Sequence, residues 1–151
     1  MHFPKLNFPH IILKTKLVDG NTQVFDIVRK KYFKLTPEEW VRQHVIVYLN
    51  SYKNYPFGLM GVEKMIKYNG LRNRADIIIY NKEGFPDILV ECKSANVKIT
   101  QNTFYQIARY NFKLRVRYLL VTNGINHFCC EMDYASNQIV FLSEIPVFDL
   151  S

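Results

Sequence analysis

The chain has 151 residues, of which 48% are hydrophobic and 15% are aromatic, and its formal net charge is +7. This composition excludes a disordered tail, and the length suits one folded domain with a sizeable core. The longest apolar runs are a few residues long, which excludes a membrane-spanning helix. The positive charge favours a polyanionic partner such as nucleic acid, although many basic proteins bind none.

The amino-terminal ten residues have neither the continuous apolar segment nor the small-residue cleavage site of a signal peptide, so a cytoplasmic protein is expected. The three cysteines, Cys92, Cys129 and Cys130, show no CxxC spacing, and the four histidines show no metal-ligand spacing. Adjacent residues of a strand point to opposite faces, so reduced thiols are expected in place of disulfides or a zinc site.

Residues 1–151 are interpreted as one domain, because no repeat, low-complexity tract or Gly/Ser linker interrupts the sequence. Residues 1–23 are expected to form an irregular arm with short extended pieces. The segments 24–28 and 32–35 then predict a hairpin around the basic "RKK" at 29–31.

The first helix is predicted to begin in "LTPEEWVRQHVIVYLN". Thr36 is the expected N-cap, Pro37 takes the first helical position, and Glu39 completes a capping box. Apolar residues then recur at helical spacing, flanked by polar residues. These flanking positions are Glu38, Glu39, Arg42 and Gln43.

The next segments predict a meander of three strands, "GLMGVEKMIKYNG", "RADIIIY" and "DILVECK", with a turn at Asn69-Gly70 and another in "NKEGFP". A helix over Gln101 to Lys113 follows, with Thr100 as its N-cap. Three further strands are predicted in "VRYLLVTNG", "HFCCEMD" and "QIVFLS". This order predicts an α/β sandwich with a central mixed β-sheet flanked by helices.

Charged residues end two of the apolar strands of this meander. Glu91 and Lys93 share one strand face, while Cys92 points to the other face and into the core. On the preceding strand, Asp76 is expected to share a face with Ile78. If these strands pair through their short turn, Asp76 falls opposite the Glu91 region, so two carboxylates and a lysine converge at one end of the sheet.

This set of side chains suits metal-dependent hydrolysis of a phosphodiester. Mg²⁺ takes oxygen ligands and usually one or two protein carboxylates, and a nearby lysine can orient water and stabilise negative charge. The alternative is an ion pair between Glu91 and Lys93, or between Asp76 and Arg74. A bare D…ExK pattern favours the ion pair, whereas its position on two adjacent apolar strands favours a site.

The Asp76 and "ECK" residues resemble the PD-(D/E)XK nuclease superfamily. More widely, "LTPEEWVRQHVIVYL", "RADIIIY", "ILVECKS", "VKITQNTFYQIARYN" and "LLVTNG" resemble the N-terminal nuclease domain of type I restriction enzyme R subunits, and its small stand-alone relatives more closely still. The resemblance covers residues 24–131 and leaves 132–151 as a C-terminal strand and tail. It implies a restriction-endonuclease-like sandwich.

The resemblance also implies roles for individual residues. Asp76 and Glu91 would bind Mg²⁺, with Mn²⁺ as a possible substitute, helped by the main-chain carbonyl of Cys92, and Lys93 would be the catalytic lysine. Gln106 matches the glutamine of a QxxxY motif and would be catalytic.

Two further positions carry roles by resemblance and have structural alternatives. Glu39 matches a catalytic glutamate of the first helix, with Glu38 as its nearest rival, but a capping box alone explains it. Tyr110 ends the QxxxY motif and would support Gln106 or contact DNA, because residues i and i+4 share a helix face. The alternative is an ordinary surface pair.

Four other basic residues have two possible roles. Arg74, Arg109 and Lys113 are interpreted as phosphate contacts, with solvated charges as the alternative, and the same two interpretations apply to Arg72. Three acidic residues are not expected in the site: Asp87 belongs to the same strand as the ExK, and Asp26 and Glu63 are expected to be structural.

The leading functional hypothesis is a metal-dependent endonuclease that hydrolyses DNA phosphodiester bonds in restriction or repair. The alternatives are a non-cleaving module that binds nucleic acid or a partner on the same fold, and an interaction protein whose charged triplet is an ion-pair network. DNA is the expected partner, with a homodimer or partner subunit left open. The sequence contains no GxxxxGK[ST] loop, so ATP-driven translocation is not predicted.

Overall fold

The computed structural model describes residues 3–68 and 70–149, which form two β-sheets and two α-helices. The small antiparallel sheet comprises Thr15–Val18 (β1), Asn21–Asp26 (β2) and Lys31–Lys34 (β3). The large sheet comprises Met60–Tyr68 (β4), Leu71–Tyr80 (β5), Pro86–Cys92 (β6), Tyr118–Thr122 (β7), His127–Asp133 (β8) and Gln138–Leu142 (β9). The α-helices are Pro37–Lys53 (α1) and Gln101–Asn111 (α2), and short 3₁₀ helices cover Phe57–Leu59 and Phe112–Leu114.

The large sheet runs in the order β4-β5-β6-β7-β8-β9 and is mixed. Strands β6 and β7 are parallel, and their connection contains α2, whereas the other neighbouring strands pair antiparallel. A parallel pair needs such a crossover, while antiparallel neighbours need only a turn. The predicted fold class, a mixed α/β sandwich, is therefore confirmed.

Each face of the large sheet packs against one helix. The α1 side buries Ile77, Ile88 and Val90 of β5 and β6, and the α2 side buries Ile78 and Leu89 of the same strands. Because both faces are covered, these strands are apolar at successive positions and do not alternate with polar residues. The buried face of Cys92 was predicted correctly, since its thiol is free and packs on the α1 side.

The predicted helix caps are present at both helices. The Thr36 hydroxyl accepts a hydrogen bond of 3.0 Å from the Glu39 N–H, and the Thr100 hydroxyl accepts one of 3.1 Å from the Thr103 N–H. Only this half of the capping box forms in α1, because the Glu39 carboxylate binds Arg29 and other side chains instead. The sequence therefore predicted the start of each helix, but not the direction of the Glu39 side chain.

The small sheet corrects the prediction for the amino-terminal arm. The predicted hairpin is present as β2 and β3, but β1 and the first residues of β2 extend it into a regular three-stranded sheet. Asn69, half of the predicted Asn69-Gly70 turn, lies outside the described residues. No helix within the described ranges is both long enough and apolar enough to cross a bilayer.

Candidate active site

The β5–β6 ladder ends next to the charged residues that the sequence singled out. Ile77 pairs with Val90, so Asp76 and Glu91 are the next residues on their strands, as the short turn predicts. Asp76 Oδ2 accepts a hydrogen bond of 2.8 Å from the Cys92 N–H. The aspartate side chain thus binds the main chain of the neighbouring strand and lies beside the ExK residues.

Strict strand alternation fails at Asp76. Ala75 packs on the α2 side with Ile78, although alternation would place it with Ile77 on the α1 side. Glu63, opposite this point on β4, has a φ of +53°, a conformation that is uncommon for a residue other than glycine. The irregularity lets Asp76 reach α1, which corrects the expectation that it simply shares a face with Ile78.

Arg42 of α1 is the residue that Asp76 reaches, and the sequence had placed it only on the polar flank of that helix. It is 4% exposed. Its guanidinium nitrogens lie 2.8 Å from Glu39, 2.9 Å from Glu38, 3.0 Å from Asp76 and 3.2 Å from Glu63. Arg42 follows Glu38 by four residues and Glu39 by three, so all three share a helix face, and this spacing could have predicted the ion pairs.

Two neighbouring cavities open at this end of the sheet. The first has a volume of about 270 Å³, and its lining residues are Glu38, Arg42, Glu63, Arg74, Ala75, Asp76, Glu91, Cys92 and Lys93. The second has a volume of about 310 Å³, and its lining residues are Asn73, Glu91, Lys93, Gln106, Ile107, Tyr110 and Asn111. Glu91 and Lys93 line both, so the structure brings Gln106 and Tyr110 of α2 beside the ExK residues.

Burial and neighbouring negative charge make Glu91 easier to protonate than an ordinary glutamate. Burial raises the pKa of Glu91 to about 7, and the negative charge of Asp76 adds to the rise, against the opposing effect of Lys93. The Lys93 ammonium lies 3.9 Å from Glu91 Oε2. Burial and Asp76 also raise the pKa of Glu38. The lining of the first cavity also contains four carboxyl groups and three cationic side chains.

This raised pKa predicts a pH-dependent stability. The folded protein keeps a proton on Glu91 at pH values where the unfolded chain has lost it. The stabilisation that this proton gives the folded state is therefore complete below pH 4.5 and is lost as the pH rises through about 7. From pH 5 to 8 with a chelator present, we expect the contribution of Glu91 to the free energy of unfolding to fall by about 2 kcal/mol, reduced from the full shift by partial exposure.

Urea denaturation at each pH measures this effect, and Glu91→Gln is the matched control because it keeps the shape and removes the titrating group. The variant should lose most of the fall in stability between pH 5 and 8. An unchanged fall in Glu91→Gln would assign the pH dependence to other groups and contradict the prediction.

The two acidic residues at the start of α1 have different surroundings. Glu39 is buried and accepts hydrogen bonds from Arg29, Arg42 and Gln43. Glu38, named as its rival, lines the first cavity, whereas Glu39 is absent from the described lining of both cavities. The geometry therefore brings Glu38 to the cavity and leaves Glu39 behind Arg42.

The basic residues predicted to contact nucleic acid lie at different places. Arg74 lies at the first cavity, where it binds Glu63 at 2.7 Å and not Asp76. Arg109 lines another cavity of about 420 Å³, with Tyr105, Phe112 and residues 137–139. Lys113 is exposed in the 3₁₀ helix after α2. The structure thus brings Arg74, but not Arg109, to the carboxylate cavity.

The carboxylate oxygens of the first cavity are the candidate ligands for a divalent cation. Within residues 3–68 and 70–149, no group of three or more His, Cys, Asp and Glu side chains is arranged to hold a metal ion. Mg²⁺ needs only one or two protein carboxylates, because it retains several waters. Asp76 and Glu91 supply two. The pKa of Glu91 is raised first by its burial and then by the negative charge of Asp76, and a cation would offset that second effect. The residues therefore fit Mg²⁺ or Mn²⁺.

The mixed sheet, its two covering helices and the charged cavity define a restriction-endonuclease-like α/β domain. Residues 37–146 match the family described as "Type I restriction enzyme R protein N terminus (HSDR_N)", and the chain belongs to this family. The resemblance identified from the sequence is thereby confirmed.

A solved structure shares the fold. It is a fragment of a protein assigned as an HsdR subunit of a type I restriction enzyme, from Vibrio vulnificus YJ016, and it is 22% identical with a TM-score of 0.51. The match covers 75% of this chain and 24% of that one, so this chain spans about a quarter of the length of that relative. No curated protein sequence matches the chain.

Proposed function

We propose that this domain is a metal-dependent endonuclease that hydrolyses DNA phosphodiester bonds. One observation carries the proposal: Asp76, Glu91 and Lys93 meet at the end of β5 and β6 around a cavity where burial and negative charge raise the pKa of Glu91 to about 7. Perturbed carboxyl groups in a cleft are typical of functional sites. Membership of a restriction-enzyme family supports the same reaction class.

Each site residue has a role that follows from its surroundings. Asp76 and Glu91 would hold Mg²⁺, together with the main-chain carbonyl of Cys92. When bound, the ion would supply positive charge that polarises the scissile phosphate. Lys93 is 42% exposed, so its ammonium can donate hydrogen bonds to an attacking water or to a phosphate oxygen. Gln106 lines the adjoining cavity and can position the same phosphate.

The DNA would pass over the two cavities. Tyr110 is 59% exposed on α2, and its ring can contact the sugar-phosphate backbone beside Gln106. Arg74 is exposed at the first cavity and can turn from Glu63 to a phosphate. Arg109 and Lys113 lie farther along the α2 side, so their contacts would require a longer DNA segment.

A non-cleaving binding module is the second candidate, and Arg42 is the observation that favours it. Its guanidinium already neutralises Asp76 at 3.0 Å and Glu38 at 2.9 Å. A cation would have to share Asp76 with Arg42 or replace it. If Arg42 retains the aspartate, the domain would hold DNA or a partner subunit without cutting.

Titration with Mg²⁺ and Mn²⁺ distinguishes these candidates. We expect the melting temperature of the wild-type protein to rise by about 2–4 °C at saturating metal, because a ligand that binds only the folded state stabilises it. Asp76→Ala/Glu91→Ala should show no rise. Differential scanning fluorimetry at constant ionic strength measures both.

Asp87→Ala is the matched control, since Asp87 lies on the same strand but binds Arg117 outside both cavities. It should keep the metal-dependent rise in melting temperature. Equal curves for the wild type and the double variant would contradict the metal site and support the binding module.

A further inference from the structure

The small β1–β2–β3 sheet has one exposed face made of lysines and aromatic rings. Phe25 pairs directly with Tyr32, and Gln23 pairs with Lys16 on one side and Lys34 on the other. Cross-strand partners share a face, so these side chains form one surface. We define the lysine-aromatic face by Lys14, Lys16, Gln23, Phe25, Tyr32 and Lys34.

The rings and ammonium groups of this face are in contact. The rings of Phe25 and Tyr32 meet edge to face, with centroids 5.3 Å apart. The Lys16 ammonium lies 3.9 Å from the centre of the Tyr32 ring, and the Lys14 ammonium lies 5.0 Å from that of Phe25. The half-buried rings therefore make cation–π contacts with the ammonium groups of Lys14 and Lys16, and the side chains of Lys14, Lys16 and Lys34 are exposed.

The positive charge of this segment has no acidic counterpart on the same face. Residues 14–34 contain six of the 20 basic residues of the chain, but only two of its 13 acidic residues. Asp19 lies in the turn between β1 and β2, and Asp26 is buried on the opposite face. Because nearby carboxylates do not offset its lysines, the lysine-aromatic face is complementary to a polyanion.

The opposite face of the small sheet is tied to the candidate active site. Asp26 accepts hydrogen bonds from Arg29 at 2.7 Å and from Gln43 of α1 at 2.8 Å. Arg29 also binds Glu39 at 3.0 Å, and Glu39 binds Arg42, the residue that holds Asp76. This buried network fixes the small sheet to the helix that borders the carboxylate cavity.

We propose that the lysine-aromatic face binds the phosphate backbone of a nucleic-acid strand. The lysines supply the charge, and the rings offer flat apolar surface of the kind on which bases and sugars pack. These residues lie before position 37 and so outside the family match. The inference rests on the proposed function for the identity of the nucleic acid as DNA, but the binding requires no cleavage.

Fluorescence anisotropy with a labelled 20-nucleotide single strand and the corresponding duplex tests this surface. The assay contains EDTA and is repeated over a series of KCl concentrations. Lys16→Glu and Lys34→Glu should each weaken binding about tenfold and lower the slope of log affinity against log salt by about 1. The probe that loses more affinity identifies the preferred form of the strand.

Lys82→Glu is the matched control, because it makes the same charge change in the β5–β6 turn, at the other end of β6 from Glu91. It should change the affinity less than about twofold. Equal losses in all three variants, or none in any, would overturn the proposed surface.

The binding assay also separates this proposal from the proposed function. Selective loss of binding in Lys16→Glu and Lys34→Glu, in a protein that cuts no DNA with Mg²⁺ or Mn²⁺, would support the surface and overturn the nuclease. Normal cleavage with unchanged binding in both variants would support the nuclease and overturn the proposed surface. Thermal melting verifies that each variant is folded.

Discussion

Lys93→Ala is expected to lower the rate of metal-dependent DNA cleavage at least about a hundredfold while leaving the protein folded. A donor that stabilises developing negative charge is worth roughly two to three orders of magnitude in rate. The fold should tolerate the change, because the side chain is 42% exposed and its nearest carboxylate oxygen, on Glu91, is 3.9 Å away. Because the pair is long and its lysine is partly exposed, it contributes less than about 1 kcal/mol to stability.

Conversion of a supercoiled plasmid with Mg²⁺ measures the rate, and Lys98→Ala is the matched control because Lys98 is an exposed lysine beyond both cavities. The control should cut at the wild-type rate. Lys93→Arg would show whether charge alone suffices, since a guanidinium keeps the positive charge but has a different shape and hydrogen-bonding geometry. Full cleavage by Lys93→Ala would remove this residue from the proposed mechanism.

The pairing of the central strands could be predicted because local rules determine it. A turn of a few residues brings β5 against β6, so the position of Asp76 relative to Glu91 follows from counting outward from that turn. Apolar runs on both strands indicate coverage of both sheet faces, which the two helices provide. Register and burial therefore needed no knowledge of distant contacts.

The surroundings of Asp76 could not be predicted in this way. Its direction depends on an irregularity shared with Glu63, which lies 13 positions earlier, and on Arg42, a residue of α1. Strand alternation assumes a regular ladder, and helical patterns assign Arg42 to a polar flank. Both assumptions fail where a buried charge binds carboxylates from three elements, because tertiary packing then determines side-chain direction.

The same limit applies to Glu39. Its sequence position explains the helix start, and a capping box predicts a side chain turned back to the Thr36 main chain. The carboxylate is instead enclosed by Arg29, Arg42 and Gln43. Its burial arises because Arg29, in the turn between β2 and β3, reaches α1. The hairpin was predicted, but its packing against α1 is a tertiary contact that local rules do not give.

Arg42→Met is expected to lower the free energy of unfolding by about 3 kcal/mol in the absence of metal. Arg42 is 4% exposed and binds four carboxylates, so its loss leaves buried negative charges without their main partner. Breaking a buried ion pair by removing one member costs roughly this amount. Methionine has about the length of the aliphatic part of the arginine side chain, so the change in the free energy of unfolding reports the loss of charge more than a loss of packing. Urea denaturation with a chelator measures it.

Arg42→Lys is the matched control, because it keeps one positive charge but cannot bind as many carboxylates, and it should lie between the wild type and Arg42→Met in stability. Mg²⁺ should then stabilise Arg42→Met more than the wild type, since Asp76 and Glu38 no longer have a competing guanidinium. Equal effects of Mg²⁺ on both proteins would mean that Arg42 does not compete with a cation. A stable Arg42→Met without metal would contradict the assignment of Arg42 as the counter-charge of these carboxylates.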